Sequence, residues 1–393
     1  MLIAAARIIT ASGARSGANA VLAPGYVSWV DGRVATVGAG PPPSKPDLRL
    51  PDGVLVPGLV DLQVNGYFGV ELAATDRADW LMVAHRLAET GTTAFMPTFI
   101  TSPLDDLAEA LRRAAGLYAK LADGSQGARV LGVHAEGPFI SPRRPGAHNP
   151  EWIVDPDPVA VGMLLEAGSG HLRMVTMAPE LDGALAAVKQ FTAAGVLVSV
   201  GHSDATAQQV SAAARGGASM VTHLFNAQRP MHHRDPGVVG QALADSRLTS
   251  SLIADLHHVS GQVAAIAFAA APGRICLITD AAACAGMPPG RYVLGGEPID
   301  LAEGDGTPPV RSDGTIAGSA LRMDSAVANL VATGVGLAEA VAAATRIPAD
   351  QIGRTDLGRI APGAAADLAW LSDNLRTQAT WVGGRQLYGQ HLG

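Results

Sequence analysis

Short apolar runs recur along the middle of the chain, and most are followed by a stretch whose hydrophobic positions repeat at helical spacing. The runs are Leu59 to Val64, Thr93 to Phe99, Val130 to Ala135, Arg173 to Met177, Val196 to Val200, Ser219 to Thr222, Ser250 to Ala254 and Ile275 to Thr279. Helical patterns lie between them at Trp80 to Thr90, Leu104 to Leu121, Gly183 to Val188 and Ala205 to Arg215. Buried strands alternating with helices eight times over predict a parallel (β/α)8 TIM-like barrel of α/β class. A doubly wound open sheet is the alternative. The barrel is preferred because polar residues collect at the ends of the runs.

The two ends of the chain have a different rhythm. Gly25 to Val30 and Val34 to Val37 flank Asp31-Gly32, a hairpin signal. Asp367 to Leu371 and Ala379 to Arg385 repeat the strand-and-turn pattern near the C-terminus. Residues 1–53 and 351–393 are therefore expected to form one small β-sandwich domain, with the barrel over 54–350.

Composition narrows the function. Across 393 residues, 48% are hydrophobic and 16% charged, enough for a large core. A net charge of −7 argues against bulk nucleic-acid binding, which needs a basic face. No apolar run approaches the roughly 20 residues needed to span a bilayer. The short apolar opening is not a secretory signal, and Cys276 and Cys284 offer no disulfide framework. A cytoplasmic enzyme fits, with neither nucleic acid nor membrane as partner.

The chemistry lies at the C-terminal end of each run. The first ends in Asp61-Leu-Gln63-Val-Asn65 and the third in His134-Ala-Glu136. The fifth ends in His202, the sixth in His223 and the eighth in Asp280. In a barrel these ends share one mouth, and alternation along a strand aims Asp61, Gln63 and Asn65, or His134 and Glu136, the same way. Two histidines and a carboxylate form a catalytic metal site with one position open to water, whose pKa a metal lowers toward about 7. Glu136, His202 and His223 are the predicted ligands and Asp280 the general base and acid. Singly, each has a bland reading: a loop histidine, a paired glutamate, an aspartate capping the next helix. Their recurrence at matching strand ends favours a site.

At these residues the sequence resembles the N-acetylglucosamine-6-phosphate deacetylases of the amidohydrolase superfamily. The resemblance runs in order through Pro57-Gly-Leu-Val-Asp-Leu-Gln-Val-Asn-Gly66, Gly132-Val-His-Ala-Glu-Gly-Pro-Phe139, Gly146-Ala-His-Asn149 and Thr222-His-Leu-Phe-Asn-Ala227, ending at Gly358 to Leu368. It implies deacetylation of a phosphorylated N-acetyl amino sugar to the free amine and acetate. It assigns carbonyl polarisation to His148, phosphate-binding backbone amides to Asn226 and Ala227, and a substrate contact to His258. It sends Arg234 to the phosphate of a neighbouring subunit, hence a homodimer. Many amidohydrolases carry His-x-His after the first strand and hold two metals. Gln63-Val-Asn65 stands there instead, which predicts one divalent metal, zinc first with iron, manganese or cobalt as alternatives, and leaves Gln63 and Asn65 to hold water or support the ligands. Departures from the family fall at Leu256, where Gly is usual, at the His257-His258 pair, and at the loop Gln228 to His233. His85, His171 and His391 match nothing.

Other readings have discriminators. A dihydroorotase- or hydantoinase-type enzyme acting on cyclic amides needs a carbamylated lysine at a strand end, whereas the lysines are Lys45, Lys120 and Lys189, in a linker and two helical patterns. A deaminase keeps the absent His-x-His pair. A non-catalytic scaffold would lose ligands or the aspartate, and all four are present. Another N-acyl amino sugar stays open, as does the choice among gluco, galacto and manno epimers.

Overall fold

The computed structural model describes residues 1–12, 21–304 and 306–390 of the chain. Barrel strands lie at Leu59–Val64, Thr92–Ile100, Val133–Glu136 (with Arg129–Val130 as a separate piece), Leu172–Met177, Leu197–Val200, Met220–Val221, Thr249–Ile253 and Ile275–Ile278. Each pairs in parallel with the next, giving the barrel expected from the sequence. The third strand is broken at Gly132, whose φ of +118° a side chain rarely adopts.

Helices cover the outside. Leu104–Leu121 shows why: Leu107, Ala108, Leu111, Ala114 and Leu121 are buried at helical spacing, while acidic residues fill its first turn. Ala207–Gly216 opens with a capping box, Thr206 and Gln209 each satisfying the other's backbone. The segment after the eighth strand departs from simple alternation. A hairpin of Gly290–Leu294 and Glu297–Leu301 intervenes before the next helix, Met323–Ala332. Its exposed, polar-flanked strands carry no barrel-like run, which is why periodicity misses it.

The terminal segments build two further sheets. One holds Leu2–Ala5, Gly25–Val30, Arg33–Ala39 and Leu48–Leu50. The other, of six strands, includes Val54–Pro57, Leu368–Leu371, Thr377–Val382 and Arg385–Tyr388. Side chains of both meet in one apolar cluster that includes Ile3, Val27, Trp29, Leu55, Leu368 and Trp381. This is the expected sandwich. Asp31 and Gly32 both have positive φ at the hairpin turn. Among the described residues no helix is long and apolar enough to cross a membrane.

Candidate active site

The C-terminal ends of the barrel strands surround a cavity of about 260 Å³, into which Asn65, Glu136, His148, His202, His223, Asn226, Ala227, His258 and Asp280 all project. His202, His223 and Asp280 have φ of +45°, +30° and +53°. Left-handed backbone at a residue with a Cβ costs about 1–2 kcal/mol and turns the chain sharply. Each strand thus ends by twisting its functional side chain into the mouth.

Glu136 Oε1 is the hub. His223 Nε2 lies 2.9 Å from it and His202 Nε2 3.3 Å, and the two nitrogens are 3.1 Å apart. Ligand bonds of about 2.0–2.2 Å put tetrahedral donor atoms roughly 3.3–3.6 Å apart, so the three already converge on one ion-sized point. Burial alone would raise the Glu136 carboxyl, but the two imidazoles set against it hold it well below the usual range. His202 Nδ1 faces the carbonyl of Arg144 at 3.0 Å. A carbonyl only accepts, so Nδ1 carries the hydrogen and Nε2 keeps its lone pair for a metal.

His148 also enters the group: ligand-capable atoms of Glu136, His148 and His202 lie within 4.8 Å of one another. Its hydrogen bonding is opposite. The backbone N–H of Thr101 donates to His148 Nδ1, and the Thr101 hydroxyl sits 2.7 Å from the same atom. Nε2 therefore bears the hydrogen, which makes it a donor toward the cavity and not a ligand. Burial, then the neighbouring His202, push its pKa well down, so the ring is neutral.

Asp280 caps no helix. Its Oδ1 accepts from Gln63 Nε2 at 3.0 Å and from Asn65 Nδ2 at 2.8 Å. The Gln63 amide also donates to Glu136 Oε1 at 3.0 Å, tying the two carboxylates together. Burial, then the Glu136 charge, push the Asp280 carboxyl up to about 6. A carboxylate in that range both takes and returns a proton near neutral pH.

Glu136, His202 and His223 offer one carboxylate and two imidazoles, donors that suit a divalent metal. The sequence model of the amidohydrolase family matches residues 54–387. The chain belongs to the amidohydrolase family. N-acetylgalactosamine-6-phosphate deacetylase of Escherichia coli O157:H7 is 39% identical over 84% of this chain and 87% of that protein. N-acetylglucosamine-6-phosphate deacetylase of Bacillus subtilis (strain 168) is 37% identical over 78% of each. A mutant N-acetyl-D-glucosamine-6-phosphate deacetylase of Mycobacterium smegmatis, solved in complex with N-acetyl-D-glucosamine-6-phosphate, superimposes with a TM-score of 0.90 at 36% identity, covering 98% of this chain and 99% of that one.

Elsewhere this amidohydrolase corrects the sequence reading. Asp61 and His134 do not reach the cleft. A strand rises about 3.3 Å per residue, so a residue two positions earlier sits a full layer deeper. His134 is wholly buried between the hydroxyls of Thr98 and Thr176, and Asp61 is held by Thr279. The N–H of Asn226 already donates to the carbonyl of His223, so of the two expected amides only that of Ala227 lacks an acceptor among the described residues. Arg234 lies on an exposed loop and does not line the cavity, and the same is true of His232 and His233. Gln228 is a staple, spanning the Thr222 carbonyl and the Phe225 N–H. His391 falls outside the described residues, His85 is exposed, and His171 lies against Tyr118.

Of the adjacent His257 and His258, only His258 lines the cavity. Asp255 accepts from both backbone N–H groups and holds His258 Nδ1 at 2.6 Å, aiming that ring into the cavity while His257 is exposed. Leu256 has φ +67°, the conformation that makes glycine usual there. The supporting residues Thr101, Asp255 and Ser251 (whose hydroxyl takes the His223 N–H) were missed. An Asp three residues before His258 was the one available signal. Leu294, Thr315 and Ile316, from the hairpin and the segment after it, also line the cavity.

Proposed function

We propose that this chain removes the acetyl group from an N-acetylhexosamine 6-phosphate, with N-acetylglucosamine 6-phosphate as first choice and the galacto epimer as second. The observation that carries the reading is the convergence of Glu136, His202 and His223 on one point, with Asp280 joined to them through Gln63. The named activities of the relatives supply the substrate class.

In this reading Glu136, His202 and His223 hold one divalent ion, zinc first among zinc, iron, manganese and cobalt. Such an ion supplies Lewis acidity and an activated water near pH 7. Gln63 and Asn65, amides where a second metal would need imidazoles, hold Asp280 instead. His148 Nε2–H donates to the amide carbonyl and stabilises the charge that develops there. Asp280 accepts the proton of the attacking water and returns it to the departing nitrogen. His258, fixed by Asp255, contacts the sugar. The free N–H of Ala227, at the turn it shares with Asn226, meets the phosphate. Arg234, exposed on its loop, reaches the phosphate in a second subunit, so the working form is a homodimer. The barrel, whose first strand starts at Leu59, carries the chemistry, and the sandwich from both ends of the chain takes in Val54–Pro57 as well. A cytoplasmic setting is part of the proposal, since both cysteines are buried and unpaired.

Acetate release from the gluco and galacto 6-phosphates, beside unphosphorylated N-acetylglucosamine, with metal content on the same sample, tests this. Release from a phosphorylated sugar only, at about one metal per chain, is expected from a three-ligand site. Metal without release from any of the three would remove the substrate assignment.

A further inference from the structure

Among the described residues the barrel ladder is continuous from the first strand, through the second, to the eighth, but no ladder joins the eighth back to the first. Among the described residues a single parallel bridge, Val64 to Ala281, spans that seam. Gln63 and Asn65 stand on one side of it and Asp280 on the other. The side chain that crosses it one layer below is Asp61, fully buried. Its Oδ2 accepts from the Thr279 hydroxyl at 2.6 Å, and its Oδ1 accepts from the backbone N–H groups of Thr279 and Gln63, both at 3.2 Å. The Asp280 N–H then donates to the Gln63 carbonyl at 3.0 Å, and the Ser319 N–H donates to the Asp280 carbonyl at 2.8 Å.

We propose that Asp61 is a positioning residue for catalysis: through Thr279 it sets the register of Asp280 against Gln63 and Asn65 across the open seam of the barrel. The inference rests on the reading of Asp280 as general base and acid. Asp280 holds a left-handed backbone that is unfavourable by itself, so its turn needs an external hold. Between other neighbouring strands a continuous ladder provides that hold. Here the backbone contributes only a short bridge, with Asp280 N–H on the Gln63 carbonyl and the Asn65 and Gly66 N–H groups on the Ala281 carbonyl. The Asp61 side chain adds the layer beneath it. A buried carboxylate is a poor choice for filling space, since burying it unpaired is costly where a valine would pack freely. Its fit is directional: one carboxylate accepts both N–H groups flanking the seam and the hydroxyl next to Asp280. Losing it frees the turn to shift, and a displacement near 1 Å at a reacting group costs about 10²-fold in rate.

The test uses the metal-loaded enzyme and the substitutions Asp61→Asn, Thr279→Val and Thr279→Ser, with the Asp61→Asn/Thr279→Val double variant. For each, kcat, KM, metal content and Tm are measured on N-acetylglucosamine 6-phosphate. Asp61→Asn and Thr279→Val are expected to lower kcat by about 10²-fold with KM and metal content unchanged. Thr279→Ser, which keeps the hydroxyl, should restore kcat. The double variant should be no slower than the slower single, because both changes remove one link. Losses that multiply in the double, or a fall in Tm with kcat of the folded enzyme intact, would reduce Asp61 to a structural residue. If Asp61→Asn does not fold, the Thr279→Val and Thr279→Ser pair decides alone. An active Asp280→Asn variant would instead remove the base assignment on which the inference stands, so the two failures are told apart.

Discussion

The metal end of the cavity and the exposed loop beyond Ala227 are built differently. At the metal end Glu136, His148, His202 and Asp280 are buried, and each has a fixed partner: Gln63, Thr101, the Arg144 carbonyl, Asn65. Outside the cavity the loop bearing Met231, His232, His233 and Arg234 stands exposed, tied by the Arg229–Asp235 ion pair at 2.6 Å and by paired backbone hydrogen bonds between His232 and Asp235. Chemistry needs groups held to within a fraction of an ångström before substrate arrives, so it is placed on strand ends braced by the barrel. In the proposed function this loop meets a phosphate, and recognition of a charge tolerates a looser frame because charge acts over a longer range.

The largest effect is expected at the braced end. Asp280→Asn keeps shape and the amide contacts but removes the proton acceptor, so kcat should fall about 10²–10⁴-fold while metal stays bound. Turnover close to that of the parent would move the base elsewhere. Next, His202→Ala and His148→Ala should part company in metal analysis. The first removes a lone pair and should strip most of the metal. The second removes a donor and should leave metal content alone while slowing kcat about 10²–10³-fold. Metal loss in both would make His148 a ligand and overturn the tautomer assignment.

At the exposed loop Arg234→Ala should be milder and of another kind. A charge-assisted hydrogen bond contributes about 1.5–3 kcal/mol, so KM for the phosphorylated sugar should rise roughly 10- to 100-fold with kcat little changed. A drop in kcat with KM constant would show that the loop takes part in the chemical step, and the contrast between the metal end and the loop would fail.

The same contrast governs what could be read from sequence. Barrel strands and the residues ending them were legible because continuous apolar runs bounded by turn chemistry are local signals: the first strand, buried at every position, lies at Leu59–Val64 as expected. Depth was not legible. Gln63 and Asp61 share a face, yet one braces the carboxylates and the other lies a layer below. Alternation fixes direction but not height within a barrel. The supports Thr101 and Ser251 were invisible for a related reason, since they act on His148 and on the His223 backbone across 47 and 28 residues of chain. The hairpin Gly290–Leu301, which brings Leu294 to the cavity, carries too few buried positions to announce itself.

The smallest predicted effect lies at the turn that presents His258. Leu256 holds φ +67° and is 38% exposed, so its side chain is only partly buried. Relief of left-handed strain is worth about 1–2 kcal/mol. Glycine gives back about 0.5–1 kcal/mol through its freedom in the unfolded chain. Leu256→Gly should therefore raise stability by up to about 1 kcal/mol in a denaturant titration, balancing those two terms. The sign carries the argument. A gain means that the Asp255 carboxylate, accepting from His257 N–H, His258 N–H and His258 Nδ1, holds the turn against its own backbone preference. A loss means that the leucine side chain itself contributes to the hold, and that His258 is positioned by packing as well as by hydrogen bonds.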